Sequence, residues 1–467
     1  MASRERDLAK NTLILTIGKI STQAITFFLL PLYTAYLSRE DYGVVDLIAT
    51  IVTLLFPILN MQMEQAVFRY MVVNRNDVSE TRSIISTAFS FTFFQIIAFA
   101  LLFCIIQPFI HNEYKWFLLI NLALGTLNFS LMQVMRGLGD NVGYAVAAFV
   151  SSVVNIGVNL LLILVFNLGA TAMLTATAIG SLVSVVFIVC RSRFWRYYRV
   201  QLFEKERLKE LLRYSMPLVP NELSWWAIRA SDRFVVTAFL GMGANGIIAI
   251  AHKFPSIYVM LYNIFGIAWT ESVVLHLKEP DGEAYFSRMV NRMVRLFASV
   301  SLLVIAVMPF VFGWLINESF GDAYNLIPIY MIGSTFNVVI GLVSTVYIVH
   351  KQTRVIARTS VLAALICLVT DILLIKFVGI YASPLSNLIG FGVMMLYRCC
   401  DIRRYVTIRW NQKFIIAFSA MLLVTLFTYY SGIRLLSFMN LLLVAIFVLY
   451  ENWIDITNLP KLIKKHH

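Results

Sequence analysis

Long apolar runs follow one another along this chain of 467 residues, and short charged or Gly/Pro clusters separate them. Most of these runs reach the roughly 20 residues that a helix needs to cross a bilayer. Strands of a membrane β-barrel would instead alternate apolar and polar residues over about ten positions. The runs therefore predict an all-α, polytopic membrane protein.

The composition agrees with this prediction. Apolar residues make up 60% of the chain and charged residues only 13%, whereas soluble domains carry about 25% charged residues. These values exclude a soluble enzyme, a disordered chain and a disulfide scaffold. Fourteen spans are predicted, at 9–37, 43–73, 83–110, 116–136, 142–166, 168–190, 211–240, 244–277, 284–316, 323–350, 355–376, 380–398, 413–431 and 434–453.

The distribution of Lys and Arg predicts the orientation of the chain. One side of the predicted membrane has only Arg39, Lys115, Lys376 and Arg434 in its loops, and the other side has the remaining loop Lys and Arg. Cytoplasmic loops are the ones enriched in these residues. Both termini are therefore predicted in the cytoplasm, and this bias explains the net charge of +13 without a nucleic-acid partner.

The longest polar interruption, 191–213, divides the chain. Leucines at helical spacing within it (Leu208, Leu211 and Leu212) predict an amphipathic helix lying on anionic lipid at the cytoplasmic surface. Six spans precede this segment and eight follow it. The predicted domains are an N-terminal lobe (1–193), a cytoplasmic amphipathic linker (194–210), a C-terminal lobe (211–410), and two additional helices with a cytoplasmic tail (411–467).

An internal repeat relates the first two spans of the two lobes. At an offset of 203 residues, Thr34-Ala35-Tyr36-Leu37 meets Thr237-Ala238-Phe239-Leu240, and Asn60 meets Asn263. Six spans per lobe is an even number, so the lobes share one orientation and their pseudo-two-fold axis runs along the membrane normal. Two-lobe transporters are built in this way, with the substrate between the lobes.

Short motifs point to no chemical reaction. The segment 241–246 fits G-x-G-x-x-G, but it follows a span rather than a strand, so it predicts a tight turn at the outer face. No P-loop, nucleophile elbow or H-E-x-x-H occurs. The cysteines and histidines lack metal spacing, and the histidine pair His466 and His467 is a candidate tag remnant. No enzyme activity, metal or cofactor is expected.

Charged residues inside the spans are the candidate functional residues. A cation at the bilayer centre costs roughly 2.5–3.5 kcal/mol, so it must face a partner or a wet cavity. In the seventh span, polar residues recur at i, i+4, i+7 and i+11, which is one helix face. The predicted cavity cations are Lys19, Arg229, Arg233 and Lys253, and the predicted polar lining is Gln23, Thr26, Glu222, Trp226, Asn60 and Asn263.

Two interpretations of these charges stay open. The cations can be structural, with Arg229 paired to Asp232 or Lys19 paired to Glu222. Alternatively they form an anion-binding cavity, because cations outnumber carboxylates in these spans and Arg and Lys donors suit phosphate. The candidates for ion coupling are Asp232, His252 and Asp371.

The segments LLPLYTAYLSREDYGVVDLIATI (29–51) and DRFVVTAFLGMGANGIIAIAHKF (232–254), together with the paired six-span lobes, resemble a known family. This family is the polysaccharide transporters of the multidrug/oligosaccharidyl-lipid/polysaccharide (MOP) exporter superfamily. The Wzx-type flippases for undecaprenyl-pyrophosphate-linked sugar repeat units are the most similar members. The resemblance implies a cationic central cavity that faces the lipid pyrophosphate, formed here by Lys19, Arg229, Arg233 and Lys253.

The implied function is translocation of a lipid-linked oligosaccharide from the inner to the outer leaflet of the bacterial cytoplasmic membrane by alternating access. The oligosaccharide is a repeat unit of capsule, O-antigen or exopolysaccharide. The implied partners are this substrate, membrane lipids, a glycan polymerase and other assembly proteins. The alternatives are a drug/cation antiporter of the same superfamily, which needs an acidic cavity, and a lipid II-type flippase. A membrane glycosyltransferase or polymerase, and a scaffold that transports nothing, are further alternatives.

Overall fold

The computed structural model describes residues 29–277 and 279–464, and their side chains except at 228, 229, 267, 268, 275, 353 and 454–464. The secondary structure of these residues is helical, without a β-strand, so the predicted all-α class is confirmed. The helices are α1 (Leu30–Tyr36), α2 (Arg39–Asn60), α3 (Met63–Val73), α4 (Val78–Ile106), α5 (Lys115–Leu138), α6 (Asn141–Leu164), α7 (Gly169–Ser192), α8 (Lys205–Ser215), α9 (Val219–Leu240), α10 (Met242–Ala251), α11 (Lys253–His276), α12 (Gly282–Leu315), α13 (Ala323–Val349), α14 (Thr353–Val378), α15 (Ala382–Asp401), α16 (Gln412–Ser431) and α17 (Arg434–Lys464).

Eleven segments of the described chain are long and apolar enough to cross a membrane. One of them, Arg354–Arg404, contains both α14 and α15 and so corresponds to two predicted spans. Of the predicted span 211–240, residues 211–215 belong to α8 and residues 219–240 form α9. The charged residues of α9 keep it out of the eleven. The predicted span 9–37 lies mostly outside the described residues. The chain is a multi-pass membrane protein, and its helices follow the predicted order.

Exposed apolar side chains cover the outward faces of the spanning helices. On α4, the side chains of Phe94, Leu101 and Ile105 are each more than three-fifths exposed, and their spacing of seven and four residues places them on one helix face. A water-facing surface rarely carries so large an apolar area. A lipid-facing surface requires it, because the hydrocarbon core solvates apolar groups only.

The starts of α2 and α10 match the predicted repeat. The residues preceding them, Ser38 and Gly241, are separated by the repeat offset of 203 residues. Ser38 caps α2 by accepting a hydrogen bond from the backbone N of Asp41 at 3.0 Å. Gly241 has a φ of 86°, a value that glycine adopts without steric cost. The glycine motif therefore begins at a sharp break between α9 and α10, but its residues 242–246 form the start of α10 rather than a turn. The placement of this break at the outer face stays a prediction.

The chain divides into two compact units, 1–233 and 234–467. In the first unit, α3 packs against α4, α5 and α8, and α7 packs against α5 and α6. The division falls within α9, where the apolar second half of the helix follows a charged first half. The predicted lobe limits (1–193, 194–210, 211–410 and 411–467) follow predicted spans rather than packing, and they stay a prediction.

The linker helix α8 packs on protein. Leu211 is fully buried in the core of the first unit, next to residues of α3 and α4. Arg207 forms an ion pair with Glu80 on α4, and the backbone N of Glu204 donates to Thr87 Oγ1 at 3.1 Å. The leucine face that was predicted to lie on lipid therefore covers α3 and α4, because these helices offer an apolar surface of their own.

In the second unit, α13 is the most extensively packed helix and contacts α10, α11, α12 and α15. The indole N–H of Trp269 donates to the carbonyl oxygen of Leu342 at 3.1 Å, which attaches α11 to α13. The additional helices α16 and α17 pack on α12. The hydroxyl of Tyr429 donates to the carbonyl oxygen of Tyr324 at 2.6 Å and attaches α16 to the start of α13.

A buried arginine joins three helices of this unit. Arg398 on α15 is only 1% exposed. Its guanidinium donates to Ser344 Oγ on α13 at 2.6 Å and to Thr359 Oγ1 on α14 at 3.0 and 2.6 Å. Further hydrogen bonds reach Ser360 Oγ and the carbonyl oxygen of Ile356, both at 3.1 Å. Because these donors are arranged as a planar fork, they satisfy several neutral acceptors at once.

We expect Arg398→Lys to lower the free energy of unfolding by about 1–3 kcal/mol, because an ammonium keeps the buried charge but cannot reach the same acceptors. Unfolding of the purified chain in mixed micelles, monitored by far-UV circular dichroism, measures this change in the free energy of unfolding. The control is Arg403→Lys, at a neighbouring exposed arginine. Equal stability of the two variants would contradict the structural role of the guanidinium.

Candidate functional site

A break between α2 and α3 shapes the first unit. Met61 and Gln62 have φ values of 51° and 55°, in the left-handed region that non-glycine residues rarely occupy. The break places Glu64 in the first turn of α3, where the helix dipole favours a negative charge. Asn60, fully buried at the end of α2, donates its amide N–H to the Glu64 carboxylate. Interrupted membrane helices are typical of transporter binding sites.

A cavity of about 470 Å³ lies beside this break within the first unit. Residues from α2, α3, α5, α6 and α9 form its walls. The volume is within the usual range for a small-molecule site, roughly 300–1,000 Å³. The lining residues are Thr53, Phe56, Pro57, Gln62, Glu64, Gln65, Asn128, Phe129, Met132, Gln133, Tyr144, Glu222 and Trp226.

Side-chain amides, aromatic rings and two carboxylates dominate this lining. Some amides are already oriented by neighbours, since Asn128 Oδ1 accepts from Ser184 Oγ at 2.8 Å and Gln133 Oε1 accepts from Arg136 Nη1 at 3.0 Å. The charged residues among the described lining are Glu64 and Glu222. The cavity therefore offers hydrogen-bond donors and acceptors together with flat apolar faces.

Polar contacts hold the first half of α9 against α2. Trp226 Nε1 donates to the carbonyl oxygen of Thr50 at 3.2 Å. Two turns further along α9, Arg233 is 7% exposed, and its Nη1 lies 2.8 Å from both carboxylate oxygens of Asp232. Arg233 Nε lies 3.4 Å from Asp46 Oδ2 on α2. This buried cation is thus offset by two carboxylates of its own unit.

The residues predicted from the sequence fall into several groups. Glu222 and Trp226 line the cavity. Asn60 is not among its described lining residues but donates a hydrogen bond to Glu64, which is. Arg233 is buried in its ion pairs and is not among the described lining residues. Lys19, Gln23 and Thr26, and the side chain of Arg229, lie outside the described residues.

Four predicted residues belong to the second unit. Lys253 is partly buried at the start of α11, and Asn263 is exposed on the same helix. The ring of His252 stacks edge-on against Tyr330, with the centroids 4.8 Å apart, and its Nδ1 lies 3.3 Å from Ser256 Oγ. Asp371 is buried in α14. Among the described residues, no cluster of His, Cys, Asp and Glu is arranged to bind a metal ion.

Sequence reasoning missed the amide side of the cavity. Gln65 on α3 and Gln133 on α5 are uncharged, and uncharged polar residues stand out less than charged ones within apolar spans. The spacing of Phe129 and Gln133 on one face of α5 was the available signal. The helix break at Met61 and Gln62 has no signal in the sequence, because neither residue is glycine or asparagine.

Comparison with known proteins identifies the family. The sequence profile described as "Polysaccharide biosynthesis protein" matches residues 8–270, which is more than half of the chain. The chain belongs to this polysaccharide biosynthesis protein family. The resemblance to polysaccharide transporters predicted from the sequence is confirmed at this level. No curated protein sequence matches the chain.

Solved structures with the same fold include a flippase and multidrug transporters. The lipid II flippase MurJ, in an inward closed conformation, matches with a TM-score of 0.68 at 16% identity and covers 95% of this chain and 100% of its own. An inward-facing MATE family transporter of the MOP superfamily matches with a TM-score of 0.63 at 13% identity, covering 83% and 98%. A MOP superfamily transporter from Pyrococcus furiosus, described by the reverse polarity of its binding pocket, matches with a TM-score of 0.57 at 14% identity, covering 85% and 95%.

At these low sequence identities, the likeness to the solved structures establishes the fold of this protein and nothing further. The match extends over 95% of this chain and all of MurJ, so the likeness in fold covers nearly the whole chain. The predicted fold, two lobes followed by two additional helices, agrees with this architecture.

We expect Asp46→Asn to destabilise the protein through the loss of its charge interaction with Arg233. A double-mutant cycle with Arg233→Met isolates this interaction, and we expect a coupling free energy of about 1–3 kcal/mol. Unfolding by sodium dodecyl sulfate in mixed micelles measures the stability of the unsubstituted protein, the two single variants and the double variant. Strictly additive effects of the two substitutions would contradict an ion pair that stabilises the α2–α9 contact.

Proposed function

We propose that this protein is a flippase that moves an undecaprenyl-pyrophosphate-linked oligosaccharide from the inner to the outer leaflet of the bacterial cytoplasmic membrane. The cargo is a repeat unit of capsule, O-antigen or exopolysaccharide. No covalent bond changes in this step, so the protein acts as a transporter and not as an enzyme. Membership of the polysaccharide biosynthesis family supports a glycan-related cargo, and the fold is shared with a flippase and with transporters.

The observation that carries the proposal is the chemistry of the cavity in the first unit. Amide side chains such as Gln65 and Gln133 both donate and accept hydrogen bonds, as the hydroxyl groups of a sugar require. The carboxylates of Glu64 and Glu222 accept hydrogen bonds from hydroxyl groups. The face of an aromatic ring such as Trp226 is electron-rich and suits the C–H face of a pyranose. This cavity therefore receives the oligosaccharide.

The pyrophosphate is proposed to bind the predicted cations Lys19, Arg229, Arg233 and Lys253. Guanidinium and ammonium donors form charge-assisted hydrogen bonds to phosphate oxygens. Arg233 is paired with Asp46 and Asp232, so in this role it exchanges a carboxylate for the pyrophosphate. Gln23, Thr26, Asn60 and Asn263 are proposed as further polar contacts, and Asp232, His252 and Asp371 as groups that couple ion movement to transport.

Transport is proposed to follow alternating access. The headgroup enters from the cytoplasmic side, where the chain termini are predicted, and leaves on the opposite side after the lobes rearrange. An inside-negative potential assists an outward-moving anion by about 2.3 kcal/mol per charge per 100 mV. The proposed partners are membrane lipids, a glycan polymerase and other assembly proteins.

A drug/cation antiporter is the second candidate, and one observation favours it. The charged residues among the described lining of the first-unit cavity are the two glutamates, Glu64 and Glu222. A cavity of this sign attracts a cationic drug. The two candidates therefore differ in the charge of the molecule that they transport, and a transport assay separates them.

We expect purified protein in liposomes to translocate a fluorescent polyprenyl-pyrophosphate oligosaccharide. We expect Gln65→Leu with Gln133→Leu to slow this translocation by about thirtyfold, because each of the two lost hydrogen bonds to a sugar weakens binding by about 1 kcal/mol. Leucine keeps the approximate volume of glutamine but removes the amide. The matched control is Gln412→Leu, an exposed position outside the cavity.

The same liposomes distinguish the alternatives. A polyprenyl pyrophosphate without sugar tests whether the effect of the double substitution depends on the oligosaccharide. We expect the double substitution to leave the translocation rate of this sugar-free lipid unchanged. Uptake of a cationic dye, with no movement of the lipid-linked sugar, would overturn the flippase proposal in favour of the antiporter.

A further inference from the structure

A second cavity, of about 1200 Å³, lies within the second unit beside the first turns of α12. Its lining residues come from the loop before α12, from the first turns of α12 and from the segment 407–411 before α16. The proposed transport function uses none of its residues. Both loops belong to the side that the Lys and Arg bias predicts to be cytoplasmic.

Hydrogen bonds attach the segment 407–411 to α12. Asn291 Nδ2 donates to the carbonyl oxygen of Arg409 at 2.9 Å, and the backbone N of Asn411 donates to Asn291 Oδ1 at 2.8 Å. The backbone N of Arg409 donates to Ser287 Oγ at 2.9 Å. The segment is thus held at two positions, and the cavity has a defined shape.

Arginines line the part of the cavity next to the membrane span. Arg288, Arg292 and Arg295 follow an i, i+4, i+7 spacing, which places them on one face of α12. Arg409, on the segment 407–411, lines the same cavity. From the sequence, Arg292 and Arg295 are expected only to extend toward the membrane surface. In the structure they contribute to a set of four guanidinium groups, the side chain best suited to bind phosphate.

Carboxylates line the opposite end of the cavity. Glu279, Asp281 and Glu283 precede the arginines in sequence, and Glu279 lies 3.1 Å from His276 Nδ1. One α-helical residue advances about 1.5 Å, so Glu283 and Arg288 begin about 7 Å apart along the axis of α12. In the described part of the chain, neither Asp281 nor Glu283 forms an ion pair with an arginine of the cavity. The cavity therefore has an acidic end and a basic end.

The order of these ends along α12 is informative. The helix leads from the loop into an apolar span, so the arginines lie nearer the hydrocarbon and the carboxylates nearer the aqueous phase. A phospholipid headgroup has the same order, with its phosphate next to the glycerol and its amine farther out. We propose that this cavity binds the phosphoethanolamine headgroup of a membrane lipid, with the phosphate at the arginines and the ammonium at the carboxylates.

The carboxylates determine the selectivity of such a site. A headgroup with only negative charge is attracted by the arginines and repelled by Asp281 and Glu283. A quaternary ammonium keeps its charge but has no N–H to donate, so its bond to a carboxylate is weaker. The primary ammonium of phosphatidylethanolamine satisfies both ends of the cavity.

Lipid binding to the purified full-length protein in neutral detergent tests this site without any transport measurement. Native mass spectrometry compares phosphatidylethanolamine, phosphatidylglycerol and phosphatidylcholine of equal chain length. We expect phosphatidylethanolamine to bind about tenfold more tightly than the other two. Equal binding of the three lipids, or tighter binding of phosphatidylglycerol, would overturn the proposal.

Two pairs of substitutions assign the ends of the cavity. Arg288→Ala with Arg409→Ala is expected to weaken phosphatidylethanolamine binding about tenfold, and Arg403→Ala, at an exposed arginine outside the cavity, is the control with no expected effect. Asp281→Asn with Glu283→Gln is expected to remove the preference over phosphatidylglycerol, with Glu318→Gln as its control. An unchanged preference in that double variant refutes the role of the carboxylates.

Soluble phosphoethanolamine identifies the source of the headgroup. We expect it to compete with the lipid only weakly, because the acyl chains hold the lipid next to the cavity. Tight binding of the soluble compound together with no lipid binding would show that the cavity serves a water-soluble ligand and would overturn the lipid proposal.

Discussion

The high free energy of an unpaired charge in lipid is the constraint on which the first unit depends. A spanning helix tolerates such residues only where partners or water solvate them. The first half of α9 satisfies this requirement through α2, since Arg233 lies against Asp232 and Asp46 and the indole of Trp226 donates to a carbonyl oxygen of α2. These contacts hold α9 in one position, and that position brings Glu222 to the edge of the cavity.

The same constraint is met differently elsewhere in the chain. Arg398 is buried without a carboxylate among its hydrogen-bond acceptors and is satisfied by hydroxyl and carbonyl oxygens of two neighbouring helices. At the start of α12, where a helix leaves the apolar region, arginines line an open cavity. The degree of burial thus separates charges that stabilise helix packing from charges that can bind a partner.

The two cavities also differ in what they can recognise. The cavity of the first unit combines amides, aromatic rings and carboxylates, and this lining suits an uncharged polyol more than a simple ion. The cavity of the second unit has separated positive and negative ends, which suits a headgroup that carries both charges. The match to the polysaccharide biosynthesis family spans the lining residues of the first cavity and ends before those of the second.

The sequence by itself determined the fold class, the order of the helices, the repeat and the family. These properties follow from apolar run length, from the distribution of Lys and Arg and from local motifs, all of which act over short stretches of chain. Of the cavity residues, Glu222 and Trp226 were predictable because polar groups on one face of a span stand out against an apolar background. Only the tertiary structure decided that Arg233 pairs with Asp46, because that contact joins helices nearly 190 residues apart. The break at Met61 and the amides that it exposes were likewise decided by packing, since the free energy that holds a strained backbone comes from neighbouring helices and not from the local sequence.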